Sequence, residues 1–151
     1  ATPEYWELLP GEDGFTRAGT PMACAAGLAM VEIMVRDDLP ANSERIGTMM
    51  IEELEKIQED SKLIGDVRGQ GLMIGVELVR DRETREPAFE ETDQLMAACL
   101  EHGLMIGKTG PVFGANGNVA KFKPAVNVTE EDAMEMIDLF KRALGDVEAT
   151  L

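Results

Sequence analysis

The chain has 151 residues, enough for one domain with its own core and too few for two of ordinary size. Its 44% hydrophobic and 28% charged composition excludes disorder and fibrous repeats, and 29 acidic against 14 basic residues leave a formal charge of −15 that argues against nucleic-acid and anionic-membrane binding. With aromatics at 5% and 10 methionines, alanine and methionine are expected to carry much of the packing.

Residues 1–19 hold Pro3, Pro10, Gly11, Gly14 and Gly19 with little periodicity and read as loop. Thr20 followed by Pro21 is a cap and first-turn pair, and the helical spacing of Ala23, Ala26, Met30, Ile33 and Met34 predicts a helix to about Arg36. The run 37–40 breaks it. Asn42 or Ser43 is then expected to cap a second helix with Ile46, Met50, Leu54 and Ile57 on one face. After Ser61 a glycine-punctuated stretch leads into the apolar segment 72–79, read as a strand, followed by a charged loop over 81–87. A third helix is predicted over 92–101, ended by His102 and Gly103, and a short strand over 104–107. A glycine-bearing loop spans 109–118, a strand 119–122, and Thr129 to Asp132 resembles a capping box opening a last helix that buries Ala133, Ile137, Phe140 and Leu144. This order predicts an α+β domain with a small mixed or antiparallel sheet covered by helices.

No complete catalytic set is visible: there is one histidine, no pair of thiols in sequence proximity and no carboxylate cluster at metal spacing. Cys24 and Cys99 each lie in an Ala-rich apolar setting and are expected to be buried thiols. His102, beside a helix C-terminus, is expected to have a capping or surface role. Gly69, Gly71 and Gly75 precede a strand, which is the wrong order for a dinucleotide fingerprint, and point to a tight approach into a sheet. The loop 14–20 ahead of the first helix can hold an anion or serve as an ordinary cap. No apolar run reaches about 18 residues and no leader with a cleavage site is evident, so a cytoplasmic protein without a membrane span is expected.

Five stretches, in order, carry a family likeness. Thr16 to Gly27 resembles Thr-aromatic-Gly-Gly-Asn-Pro-Leu-Ala-Cys-Ala-Ala, and Ile64 to Leu78 is similar to Gly-Asp-Val-Arg-Gly-x-Gly-Leu-x-x-Gly-x-Glu. Gly103 to Lys108, Gly117 to Val119 and Pro124 to Glu131 then resemble a last strand pair and closing helix. These are the signatures of class III pyridoxal-phosphate-dependent aminotransferases. The resemblance implies the C-terminal small domain of a fold type I enzyme: residues 1–19 would continue from a missing large domain and 20–151 would form the small domain. It further implies a homo-oligomer, with the large domain or a second subunit as partner. Pyridoxal phosphate is implied for the complete enzyme and none for this chain alone, because the Schiff-base lysine and the aspartate facing the pyridine nitrogen would both precede Ala1.

The same resemblance assigns Thr16 to the phosphate of the neighbouring subunit's cofactor, and Lys121 to the place where many members hold a substrate carboxylate with arginine. Lysine offers a point charge where arginine offers a fork, so that contact would be looser; an exposed strand lysine is the other reading of Lys121. Arg17 and Thr20 also depart from the family's aromatic residue and asparagine. The implied activity is amino-group transfer between an amino acid or amine and a 2-oxo acid, with the chain inactive alone. Gly107, Lys108 and the following loop look like the alanine–glyoxylate type, while the stretch 65–69 and the loop 79–87 are shared with dialkylglycine decarboxylases. A non-catalytic domain that binds a protein partner is the alternative from another class.

Overall fold

Thr20 and Pro21 open the first helix of the computed structural model, which describes residues 19–109 and 117–151. Helix α1 runs Pro21–Arg36, with Thr20 Oγ1 accepting from the Ala23 N–H at 3.4 Å and proline in the first turn, where its missing N–H costs nothing. The bounds are those the spacing predicts. Its apolar side chains, however, are not buried: Met22, Leu28 and Val35 are more than half exposed, and no residue of the helix is buried. Cys24 is exposed as well, which corrects the expectation of a buried thiol there. Apolar residues surround the whole helix instead of forming one stripe, and such spacing signals a helix without naming what covers it.

The chain divides into two compact units, Ala1–Asp38 and Leu39–Leu151, and α1 belongs to the first. The second opens with α2 (Leu39–Asp60), after Asp38 takes a positive φ of 47°. This helix starts before Asn42 and Ser43, which therefore do not cap it; Pro40 is accommodated in its first turn. Both polar side chains bond to segments far along the chain instead. Asn42 Nδ2 donates to the carbonyls of Val126 and Val128 at 3.0 and 3.1 Å, and Ser43 Oγ accepts from the Leu72 N–H at 3.3 Å. Ile46, Met50, Leu54 and Ile57 form the buried stripe that the spacing predicts.

A hairpin replaces the single strand expected over 72–79. Strands β1 (Ile64–Gln70) and β2 (Met73–Asp81) pair antiparallel, with Val67 opposite Val76 and Gln70 opposite Met73. Gly71, at φ 52°, makes the turn. A Cβ on Gly69 would meet the Met73 carbonyl at 2.5 Å and Ile74 Cα at 2.9 Å, which is the tight approach that the glycine run points to. The same glycines concealed β1, because glycine weakens the strand signal.

Within the expected charged loop, β3 (Glu86–Pro87) pairs with β2, and α3 (Phe89–Glu101) begins three residues before Thr92. It ends as its sequence predicts, on His102 and on Gly103 at φ 88°. The N–H groups of Gly103 and Leu104 return to the carbonyls of Leu100 and Cys99 at 3.0 and 2.8 Å, a Schellman ending. The Leu104 N–H is thus engaged by the helix, and the strand predicted over 104–107 appears later, as β4 (Gly107–Lys108). Residues 110–116 of the expected loop lie outside the described residues. Strand β5 (Val119–Phe122) and helix α4 (Glu130–Glu148) follow, the latter opened by a reciprocal capping box between Thr129 and Asp132.

The sheet order is β1-β2-β5-β4, antiparallel throughout, with β3 beside β2. Ile74, Val76 and Leu78 of β2 and Ala120 and Phe122 of β5 turn into one core with α2, α3 and α4. There Phe122 meets Phe140 edge to face, with ring centroids 5.2 Å apart. The fold is the expected α+β arrangement. Isoleucine, leucine and valine fill this core more than methionine does: among the described residues only Met50 is a buried methionine.

Candidate functional site

Strand alternation sends every second residue to the sheet face opposite the core. Register collects Asp66 and Arg68 of β1, Gly75 and Glu77 of β2, and Val119 and Lys121 of β5 there. Most of the charge on this face is matched. Arg68 pairs with Asp66 and stands 3.5 Å from Glu77, and Arg85, reaching in from the turn after β2, meets Glu77 at 2.6 Å. The hydrogen bond to Asp66 is the main cause that holds the Arg68 guanidinium above its ordinary pKa. Lys108, on β4, is engaged by Asp93.

Lys121 differs from these cations. Across the ladder it faces Gly75 on β2 and Gly107 on β4, so neither neighbouring strand raises a side chain beside its stem. A Cβ on Gly107 would lie 3.7 Å from Lys121 Cε. Lys121 lines a cleft of about 220 Å³ with Gly107, Lys123 and Pro124, and Met105, Ile106 and Met136 supply an apolar wall. Among the described residues the lining includes no carboxylate. An ammonium group against apolar surface, with no competing acid, can hold an incoming carboxylate by a charge-assisted hydrogen bond.

Asn118 helps to hold Lys121 in place. Its side chain is buried, with Nδ2 donating to the Leu78 carbonyl at 2.8 Å, while its own carbonyl accepts from the Leu78 N–H at 2.8 Å. These two bonds anchor the start of β5 on β2 and so set the register that places Lys121 between two glycines. Sequence reading singled out Lys121 and missed Asn118, the flanking glycines and Lys123. Of these, only the spacing of two between Lys121 and Lys123 is a signal that the sequence displays.

The remaining candidates lie elsewhere. Thr16 lies outside the described residues. His102 caps α3 and sits 2.7 Å from Asp146 Oδ2, an arrangement that ties α3 to α4. Arg80 holds Glu91 at 2.8 Å and Glu90 at 3.1 Å. Burial alone pushes the Glu91 carboxyl up, but the Arg80 bond, with help from the Glu91 N–H, outweighs it and leaves Glu91 below the usual carboxylate range. Among the described residues no group of three or more His, Cys, Asp or Glu side chains is placed to hold a metal, and no helix is long and apolar enough to cross a membrane.

The sequence profile of the family described as aminotransferase class-III matches residues 2–144. A leucine/methionine racemase from Thermococcus litoralis is 39% identical over 93% of this chain and 30% of its own length. Mitochondrial alanine–glyoxylate aminotransferase 2 from Pongo abelii is 36% identical over 85% of this chain and 24% of its own. Among solved structures, an aminotransferase from Bacillus anthracis superposes with a TM-score of 0.81 at 33% identity, over 91% of this chain and 32% of that one. The chain spans about a third or less of the length of these relatives.

Proposed function

The chain belongs to the class-III aminotransferases, and from that membership we propose that residues 20–151 are the small domain of a pyridoxal-phosphate-dependent enzyme that moves an amino group between an amino acid or amine and a 2-oxo acid. The observation that supports it best is Lys121, an ammonium group between two glycines in a cleft with no acid among its described lining residues. In this reading Lys121 receives the substrate carboxylate and orients the molecule along the apolar wall. As a point charge on a flexible stem it grips less firmly than an arginine fork would. The Thr16 hydroxyl is the proposed donor to the cofactor phosphate.

Pyridoxal phosphate supplies the electron sink for such chemistry, and it needs a lysine to carry it, an acid facing its ring nitrogen and donors for its phosphate. The described residues do not fit that role. Lys108 is engaged by Asp93, and no acid that could face a ring nitrogen is among the described residues lining the cleft at Lys121 and Lys123. This misfit, together with the small share of its relatives that the chain spans, supports a longer enzyme in which other residues hold the cofactor. The exposed apolar side chains of α1 support a partner that covers them, either the large domain or a second subunit of a homo-oligomer.

The test is an absorbance titration of the 151-residue chain with pyridoxal phosphate, followed by borohydride reduction and mass mapping of modified lysines. The expected result is no stoichiometric adduct and no amino transfer by the chain alone. A single saturable adduct at one lysine would overturn the reading.

A further inference from the structure

Lys121 has a companion in its cleft. Lys123, two residues on, lines the same space, as the period of an extended segment requires. At about 3.3 Å per residue the two stems leave the backbone roughly 6.6 Å apart. Neither ammonium group has a hydrogen-bond or ion-pair partner among the described residues. Arg68, Arg85 and Lys108, on or beside the same sheet, each have a carboxylate partner. Two unmatched cations in one cleft repel each other, and an anionic ligand bridging them relieves that repulsion.

The surroundings leave room for such a ligand. Gly75 and Gly107 leave the Lys121 stem clear on both sides, and Met105, Ile106 and Met136 offer apolar surface on which a short carbon chain can lie. We propose that Lys121 and Lys123 form a two-point anion site that selects small acids with two anionic groups, such as short dicarboxylates, one group on each ammonium. The proposal rests on the reading of Lys121 as the carboxylate receiver, and it adds the substrate class.

Glutarate and valerate, a diacid and a monoacid of equal carbon number, separate the two ideas. Each is titrated into the 151-residue chain while the backbone amide resonances of Gly107, Lys121 and Lys123 are followed by NMR. Glutarate is expected to bind about fivefold tighter, the scale of one further exposed ion pair. It should do so even though the net charge of −15 disfavours a dianion. Lys123→Met should erase the preference while valerate still shifts the Lys121 amide, Lys123→Arg should retain the preference, and Lys121→Met should weaken both acids. Equal affinities in the unmodified chain, or a preference that survives Lys123→Met, would overturn the second anion site and leave the Lys121 reading standing. Shifts absent at Lys121 with both acids would overturn both.

Discussion

Two cysteines in similar Ala-rich settings have opposite exposures: Cys24 lies exposed on α1, whereas Cys99 is buried on α3. Burial pushes the Cys99 thiol from 9.0 up to about 11. The unfolded chain therefore loses this proton near pH 9 while the folded chain keeps it, so the contribution to stability is complete below pH 9 and falls as pH rises towards 11. The loss is of the order of 2 kcal/mol. Urea unfolding at a series of alkaline pH values should show wild type losing more stability across this window than Cys99→Ala does; equal slopes would sink the argument. Lys121 gives the same lesson in another form. Its place in the sequence and its spacing of two from Lys123 are visible, but that it stands between two glycines emerges only from register.

Between elements, the closest seam joins α2 to the β1–β2 turn. A Cβ on Gly47 would fall on the backbone of Gly71, within 2.7 Å of its Cα and nearer still to its carbonyl, so helix and hairpin can meet only if position 47 has no side chain. Gly47→Ala should destabilise the fold by about 1–3 kcal/mol, although alanine is the better helix former, because backbone must move to admit the methyl group. Chemical denaturation checks this; a stabilised variant would mean that the seam is looser than the geometry requires. Local signals at element ends were readable: Thr20 and Pro21, Thr129 with Asp132, and His102 with Gly103 all act as their residue types predict. Asn42 and Ser43 were misread because their partners, the backbone at Val126, Val128 and Leu72, are distant in sequence.

At the scale of the whole chain, the unit 39–151 has a hydrophobic core cluster of its own, running among the described residues from Ile46 to Val147. Deleting residues 1–38 should therefore leave a domain that still unfolds in one cooperative thermal transition. Loss of the transition would show that the first unit supports the second. The same deletion should reduce any self-association of the chain, since it removes the exposed apolar side chains of α1; light scattering of the two forms measures this.

The sequence by itself determined what short-range chemistry dictates: the bounds of α1 and β5, the buried stripes of α2 and α4, the ending of α3, and, through residues 16–27 and 64–78, the family. Helical periodicity, caps and glycine turns act within a few residues and leave their mark in the order of amino acids. Tertiary structure decided the rest. The glycine-rich strand β1 exists because β2 pairs with it, Cys99 is buried and Cys24 is not, and Lys121 becomes a candidate site because Gly75 and Gly107 arrive on either side of it. Those outcomes depend on which strands become neighbours and in what register, and pairing across tens of residues is not written in local spacing.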